Sequence, residues 1–256
     1  MYPDLFGIEN FSYILMIVIG VGTSIFWLIF YLKRRGFSRN TILDVVACTL
    51  FTVAIGIVGA MAFQNVYDLI KDPTNYHFSF SMTFYGGLIF GVIAFILIFC
   101  LYVKKHNDIS LGDILIIAPI CITCAHAFGR IGCFLAGCCY GQVTDSCIGV
   151  EFPEIGKRIP TQLIESIFLF ILTAILFVII FVIKIKYTMH IYLASYSIFR
   201  FIIEFFRGDE ARGATVLGLY PSQLVCIFIW IIFIPTLIFV KKRFFNEKVL
   251  VKNDKE

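Results

Sequence analysis

Three charged residues lie on one face of an apolar segment in the last quarter of the chain. Arg200, Glu204 and Arg207 follow one another at spacings of four and three, which bring their side chains together on a helix. Charges in a hydrocarbon environment are costly unless they pair or line a wet cavity. The two arginines exceed the single carboxylate, and this surplus of positive charge favours the binding of an anion. The alternative interpretation is a self-neutralising ladder that only locks helix packing.

A third arginine, Arg130, lies among glycines in an earlier apolar segment. Gly129, Gly132, Gly137 and Gly141 surround it, and such glycines permit close helix approach or a broken helix that lines a cavity. A guanidinium group binds phosphate through paired hydrogen bonds. Arginines in two segments near the same leaflet therefore predict a phospholipid headgroup as ligand. The alternative is that the glycines serve packing and Arg130 extends to the membrane interface.

The composition indicates which elements must hold these residues. Of 256 residues, 60% are apolar and 15% are charged, with a mean hydropathy of +0.92, whereas soluble domains carry about 25% charged residues. A membrane span needs about 20 apolar residues, and in lipid a helix satisfies its own backbone. We predict an all-α, polytopic membrane helical bundle of about seven transmembrane helices, forming a single domain over 1–256. The expected spans lie near 11–31, 44–64, 83–103, 111–131, 161–183, 189–207 and 219–240.

Lysine and arginine are unevenly divided between the two sides of this topology. Of the 21 such residues, 14 fall on one side, 5 on the other, and Arg130 and Arg200 within spans. Because positively charged loops stay in the cytoplasm, the N-terminus is predicted outside and the C-terminus cytoplasmic. Arg130 and Glu204 then lie toward the outer leaflet. The net charge of +4 is spread in short clusters and gives no support to nucleic-acid binding.

Two of the nine cysteines, Cys121 and Cys124, share a helical face inside an apolar segment. A redox or metal pair has this spacing, but thiolates are disfavoured in apolar surroundings. Cysteine also packs as a small apolar side chain. Packing is therefore the favoured interpretation of this pair.

Four further cysteines follow Arg130, and their role stays open. Cys133, Cys138, Cys139 and Cys147, with His126 nearby, are candidate zinc ligands, but they lack the paired C-x2-C spacing of structural zinc sites. We therefore predict no metal and no cofactor. A disulfide from Cys138 or Cys139 to Cys147 is a further alternative on the outer side of a membrane.

Several of these motifs together resemble one family. The stretch 129–141 resembles the signature of bacterial prolipoprotein diacylglyceryl transferases, which runs Gly-Arg-x-Gly-Asn-Phe, then a Gly-Glu pair and a closing Gly. The run 200–207 is similar to the family's sixth-span motif, and 160–165 resembles its Pro-Ser-Gln-Leu-Tyr-Glu stretch. Residues 222–223 lie where a Gly-Gln pair opens the last span, and Tyr13 lies where the family has an essential tyrosine.

The resemblance implies an enzyme of lipoprotein biosynthesis in the bacterial plasma membrane, with its active site toward the outer leaflet. Such enzymes transfer diacylglyceryl from phosphatidylglycerol to the lipobox cysteine thiol of a prolipoprotein and release glycerol phosphate. The implied partners are phosphatidylglycerol or a related anionic phospholipid, prolipoprotein signal peptides and the membrane. Arginines aimed at the departing phosphate would supply much of the rate. The expected catalytic residues are Arg130, Arg200, Glu204, Tyr85 and His126. The expected substrate-binding residues are Arg130, Tyr13, Gly86, Gly87, Cys133, Gly141 and Arg207.

Within this set, the resemblance implies that Arg130 and Arg200 bind the headgroup. It also implies that Glu204 orients the arginines. Three positions depart from the family pattern. Tyr85 stands where the family has a histidine before Gly-Gly-Leu, Cys133 replaces the signature asparagine, and Cys138 replaces the signature glutamate.

These departures leave the base of the reaction open. A tyrosine, with a pKa of about 10, is a poor base at neutral pH. His126 is therefore the candidate base, with a packed neutral histidine as the alternative. The alternative functions are a non-catalytic or repurposed phospholipid-binding paralogue and, from the cysteines alone, a membrane thiol redox or metal protein.

Overall fold

The computed structural model describes residues 11–74, 76–79, 82–153, 155–209, 215 and 218–244, and the side chains of these residues except for 84, 85 and 233–244. Long helices dominate this part of the chain, which confirms the predicted all-α membrane fold. They are α1 (Phe11–Arg34), α2 (Arg39–Lys71), α3 (Phe84–Ile98), α4 (Leu111–Ala136), α5 (Thr161–Val178), α6 (Thr188–Ile203) and α7 (Pro221–Phe244).

Three of these helices continue into turns of different pitch. A π-helical turn, Phe99–Val103, joins α3 to a short α-helical end at Lys104–His106. The π-helical turn Ile179–Ile183 extends α5, and a 3-10 turn, Glu204–Phe206, extends α6. The last of these turns matters for the site, because it carries Glu204.

Five helices in the described part of the chain are long and apolar enough to cross a membrane. They are Phe11–Arg34, Arg39–Lys71, Gly86–His106, Leu111–Ala136 and Thr161–Ile183. The other two predicted spans correspond to α6, which has 16 residues, and to α7. The crossing of these two helices stays a prediction, and so does the orientation of the termini.

A short β-hairpin between α4 and α5 was not predicted from the sequence. Strand β1 (Val150–Phe152) pairs antiparallel with β2 (Gly156–Arg158). Phe152 is 1% exposed and packs edge-on against Phe134 on α4, with ring centroids 5.9 Å apart. The hairpin therefore folds back onto the end of α4 rather than forming an open loop.

The helices divide into two compact units, and the prediction of a single domain stays untested. One unit comprises Ile29–Leu111. In it, a Cβ atom built on Gly86 would lie 2.5 Å from the Cβ of Phe63, and one on Gly87 would lie 3.3 Å from the Cβ of Ala60. Gly86 and Gly87 thus let α3 approach α2 closely, while their expected contact with substrate stays a prediction. The side chain of Tyr85 lies outside the described residues.

The other unit comprises Met1–Leu28 and Gly112–Glu256, and in it α1 packs on α4. A Cβ atom on Gly132 would lie 3.0 Å from Cδ2 of Tyr13, and one on Gly20 would lie 3.0 Å from the carbonyl oxygen of Ala125. Helix α4 runs unbroken through Gly129 and Gly132. Of the two roles expected for the glycines around Arg130, close helix approach is therefore found at Gly132, whereas a Cβ atom on Gly129 would meet nothing within 4 Å.

Buried hydroxyl groups connect α4 to the two helices that complete the site. Ser166 on α5 donates to the carbonyl oxygen of Ala127 at 3.0 Å, and Thr188 on α6 donates to that of Ile116 at 2.7 Å. Hydroxyl-to-carbonyl bonds of this kind hold apolar helices together where lipid supplies no hydrophobic driving force. They fix α4, α5 and α6 in register around the charged residues.

Candidate functional site

A buried carboxylate, Glu165, lies at the centre of the site. Its Oε2 atom is 2.9 Å from Nε of Arg130 and 3.3 Å from Nη1 of Arg200. Its Oε1 atom accepts a 2.8 Å hydrogen bond from the hydroxyl of Tyr196 and lies 3.6 Å from Nε2 of His126. The side chain is only 2% exposed. One carboxylate therefore holds groups from α4 and from α6 in a single arrangement.

The spacing of residues along each helix explains why these groups converge. His126 and Arg130 are four residues apart on α4, and Tyr196 and Arg200 are four apart on α6. Residues separated by four positions lie one above the other on a helix surface. Glu165 lies at the second turn of α5, where it meets both pairs. The ring of His126 also stacks edge-on against Tyr196, with centroids 5.3 Å apart.

A second buried carboxylate, Glu204, links the two arginines of the original motif. Its Oε2 atom accepts a 2.6 Å hydrogen bond from Nη2 of Arg200 and lies 3.5 Å from Nη1 of Arg207. Arg207 also donates from Nε and Nη2 to the two oxygens of Asp209, at 2.9 and 2.6 Å. Such paired, charge-assisted bonds fix the plane of a guanidinium group.

The sequence prediction of a positive surplus rested on too few residues. With Glu165 and Asp209 included, the network carries as many carboxylates as guanidinium groups. The case for an anion-binding site therefore rests on how the charged groups are arranged and not on a surplus of positive charge. The side chains of Arg130 and Arg200 are 14% and 11% exposed, whereas Glu165 is 2% exposed. The carboxylates are thus more deeply buried than the arginines, and the ion pair between Arg130 and Glu165 uses Nε of the guanidinium group.

Gly141 holds the segment that carries Arg207. Its N–H group donates to the carbonyl oxygen of Ile159 at 2.8 Å, and the next N–H, of Gln142, donates to the carbonyl oxygen of Phe206 at 2.9 Å. A Cβ atom on Gly141 would lie 2.7 Å from the Ile159 oxygen. The close approach that requires glycine here is therefore to protein backbone, and the expected role in substrate binding stays a prediction.

Three of the four cysteines that follow Arg130 come together at the C-terminal end of α4. The Sγ atoms of Cys133, Cys138 and Cys139 all lie within 4.8 Å of one another. Helix α4 ends at Ala136, and the chain then turns sharply, because Gly137 and Cys139 adopt left-handed conformations with φ of 74° and 60°. The turn brings two thiols back over the last turn of α4.

Helix α5 anchors this turn. Thr161 donates to the carbonyl oxygen of Cys139 at 2.9 Å, and the side-chain amide of Gln162 donates to that of Cys138. Hydrogen bonding from the thiols of Cys133 and Cys138 lowers the pKa of Cys139, against the effect of burial, and the charges of Arg130 and Arg207 lower it further. The cysteine cluster is thus built on α4 and α5, two of the three helices that carry the ion-pair network.

The remaining cysteines are separate from this cluster. All nine are free thiols, and Cys147 is exposed, so the alternative disulfide to Cys147 is not found. Cys121 donates to the carbonyl oxygen of Ser24 at 3.3 Å, and Cys124 to the hydroxyl of Thr23 at 3.5 Å. These contacts with α1 support the packing role expected for the pair.

Among the remaining predicted residues, Tyr13 lies beside the cluster. Its ring lies against Gly132, which is on α4 between Arg130 and Cys133. The structure thus brings seven of the predicted residues into one region of this unit: Arg130, Arg200, Glu204, His126, Arg207, Cys133 and Tyr13. Gly86 and Gly87 belong to the other unit.

Three contributors were missed from the sequence: Glu165, Tyr196 and Asp209. Glu165 was noted only as part of a stretch that resembles a family motif, although it lies inside the predicted span 161–183. An acidic residue inside a span, opposite two spans that each carry an arginine, is a signal that could have identified it. Tyr196 and Asp209 have no comparable signal, because a tyrosine in a span and an aspartate after one are unremarkable.

Comparison with known proteins gives a consistent result. The family model described as prolipoprotein diacylglyceryl transferase matches residues 4–239. Phosphatidylglycerol–prolipoprotein diacylglyceryl transferase 2 of Clostridium perfringens is 36% identical over 245 residues, which cover 89% of this chain and 90% of that protein. The phosphatidylglycerol–prolipoprotein diacylglyceryl transferases of Clostridium tetani and Geobacter sulfurreducens are 32% and 28% identical, over 90% and 82% of this chain and 92% and 83% of their own.

Proposed function

The chain belongs to the prolipoprotein diacylglyceryl transferase family, and on this basis we propose that it transfers a diacylglyceryl group from phosphatidylglycerol to the cysteine thiol of a prolipoprotein. It is a multi-pass membrane protein and, by family, a transferase. The further proposals are that it works in the bacterial plasma membrane and that its site opens toward the outer leaflet.

The observation that carries the proposal is the pairing of Arg130 and Arg200 on one oxygen of Glu165. In this reaction the bond between the glycerol carbon and the phosphate oxygen breaks, and negative charge builds up on the departing glycerol phosphate. Fixed positive groups aimed at developing charge are the largest single contribution in many enzymes. Two guanidinium groups held by a buried carboxylate need little reorganisation when that charge appears.

Each residue of the network has a distinct role in this proposal. Arg130 and Arg200 bind the phosphate, and Glu165 keeps the two guanidinium groups at a fixed separation. Glu204 holds a second nitrogen of Arg200, and Asp209 fixes Arg207. Glu165 therefore takes the larger share of the orienting role that the family resemblance implied for Glu204. The base role of His126 and the catalytic role of Tyr85 stay predictions.

Genetic complementation tests the proposal. In a bacterial strain depleted of its own transferase, the wild-type chain is expected to restore growth and the lipidation of lipoproteins, and Arg130→Ala is not. Arg158→Ala is the matched control, because Arg158 lies over the ring of Tyr140 in the hairpin region, outside the network. A well-inserted wild-type chain that restores neither growth nor lipidation overturns the proposal. If that chain still binds phosphatidylglycerol, it is the phospholipid-binding paralogue instead.

A further inference from the structure

We propose that Cys133, Cys138 and Cys139 bind a zinc ion through three thiolates, and that the fourth ligand position receives the acceptor cysteine as a thiolate. The metal site stands on the structure of the cluster. The role of the fourth position rests on the proposed function.

The three sulfur atoms are already close to the arrangement that a metal requires. They lie within 4.8 Å of one another. Zinc–sulfur bonds of about 2.3 Å in tetrahedral geometry put thiolates about 3.8 Å apart, so closing the triangle needs side-chain shifts of about 1 Å or less. No change of backbone is required, and the sequence separation that argued against zinc is bridged by the turn at Gly137.

The backbone of the cluster is held in an uncommon conformation. Cys139 has a φ of 60°, which costs a non-glycine residue about 1–2 kcal/mol and persists only where the surroundings impose it. Thr161 and Gln162 impose it here through the carbonyl oxygens of Cys139 and Cys138.

The ligand set selects a soft ion with a vacant position. Thiolates favour zinc over magnesium or calcium, and sites with three protein ligands keep a fourth position for water or substrate. Three thiolates and one Zn²⁺ carry a net charge of −1, which suits the neighbouring cations Arg130 and Arg207. His126 is not part of the cluster, and its Nε2 lies 3.6 Å from Glu165.

The position of the cluster suits the attack on a bound phospholipid. Arg130 and Cys133 are three residues apart on α4, so they lie on the same face within about one turn of each other. Cys138 is exposed, so the cluster is open on one side. A thiolate at the metal would thus approach the glycerol carbon next to a phosphate held by Arg130.

The resulting transfer of the diacylglyceryl group involves no oxidation or reduction. The acceptor thiol binds zinc and loses its proton to water, because metal coordination deprotonates a thiol at neutral pH. A sulfur electron pair then forms the bond to the glycerol carbon, and the carbon–oxygen bond breaks with its electrons leaving on glycerol phosphate. Zinc keeps its oxidation state, and the thioether product is a weaker ligand that can leave. Two of the departures from the family pattern, Cys133 and Cys138, would then be parts of one different way to activate the thiol.

Cobalt binding tests the metal site independently of activity. The reduced, metal-free full chain in detergent is titrated with Co²⁺, which gives sulfur-to-metal charge-transfer and tetrahedral absorption bands when thiolates bind it. One equivalent is expected to bind and to be displaced by Zn²⁺. Cys133→Ser, Cys138→Ser and Cys139→Ser should each weaken binding by about tenfold or more, and the matched control Cys147→Ser should not. Absence of these bands from a folded, reduced wild-type chain, or equal binding by all four variants, overturns the metal site.

A lipobox cysteine peptide tests the fourth position. Adding it to the cobalt-loaded chain is expected to strengthen the charge-transfer band, while the same peptide with serine at the cysteine leaves the spectrum unchanged. An unchanged spectrum with both peptides contradicts the role of the fourth position. Transfer that survives chelation and the three cysteine substitutions contradicts the zinc proposal but leaves the proposed function intact. Intact cobalt binding with no transfer by the zinc-loaded chain contradicts the proposed function and not the metal site.

Discussion

The Oε2 atom of Glu165 lies 2.9 Å from Nε of Arg130, in an ion pair that joins α5 to α4. The same oxygen is 3.3 Å from Nη1 of Arg200 on α6. Buried ion pairs add little stability over apolar replacements, but removing one partner leaves an uncompensated charge at high cost. The role of Glu165 is therefore to position Arg130 and Arg200, which are more exposed than the carboxylate that holds them.

The first prediction concerns Glu165→Gln, which keeps the shape of the side chain and removes its charge. The two arginines lose their shared partner, so we expect transfer to fall by about 100-fold or more. The cost of breaking a buried pair, about 3–5 kcal/mol, should also lower the unfolding temperature. Transfer rate and thermal unfolding in detergent measure the two effects. The control is Glu151→Gln in the exposed part of β1, and equal behaviour of the two variants would contradict a central role for Glu165.

The second prediction separates charge from geometry at Arg130. Arg130→Lys keeps the positive charge but loses the planar group that contacts Glu165 and a phosphate together. We expect transfer to fall by about 100-fold, with a higher KM for phosphatidylglycerol as well as a lower kcat. Arg158→Lys, the same change outside the network, should retain activity. Full activity of Arg130→Lys would show that Arg130 acts only as a point charge.

The third prediction concerns the hydroxyl of Tyr196, which donates to Oε1 of Glu165. Tyr196→Phe removes one bond to a charged group, worth about 1.5–3 kcal/mol, while the arginines keep their partner. We expect a loss of about tenfold in transfer, smaller than that of Glu165→Gln. Tyr192→Phe is the matched control, because Tyr192 stacks on Tyr196 with centroids 5.8 Å apart. If the two phenylalanine variants lose activity equally, the loss is not specific to the bond between Tyr196 and Glu165.

The fourth prediction tests the backbone contact at Gly141. In Gly141→Ala, the new methyl group would meet the carbonyl oxygens of Ile159 and Phe206 at 2.7 and 2.8 Å. These atoms are backbone, so the segment carrying Arg207 must shift, and we expect lower thermal stability and reduced transfer. Gly22→Ala on α1 has nothing within 4 Å and should be tolerated. Unchanged stability of Gly141→Ala would contradict the close packing of these segments.

The membrane fold was predictable from the sequence, because hydropathy alone marks apolar stretches long enough to cross lipid. Each predicted span from 11–31 to 161–183 lies within or largely within a helix of the structure. The fourth predicted span shows how far the bounds can be wrong, since 111–131 was predicted and α4 continues to Ala136. Those five additional residues carry Cys133, so the end of the helix decides where the cysteine cluster lies.

The site was only partly predictable, for physical reasons that differ between its residues. Arg200 and Glu204 share a helix, so their spacing alone brings them together. Glu165 meets Arg130 only through tertiary packing of α5 on α4, which no local pattern encodes. The cysteine cluster depends on the left-handed conformation of Cys139. Cysteine rarely adopts this conformation, so the sequence gives no reason to expect the turn.

The transfer reaction itself is the most direct test of the proposed function. The purified full chain, supplied with zinc, is mixed with phosphatidylglycerol vesicles and a lipobox peptide, and the peptide is analysed by mass spectrometry. We predict a mass gain of one diacylglyceryl group on the cysteine, an equal amount of released glycerol phosphate, and neither product with Glu165→Gln at matched protein levels. A folded wild-type chain that gives no lipidated peptide, or a Glu165→Gln variant as active as the wild type, would contradict it.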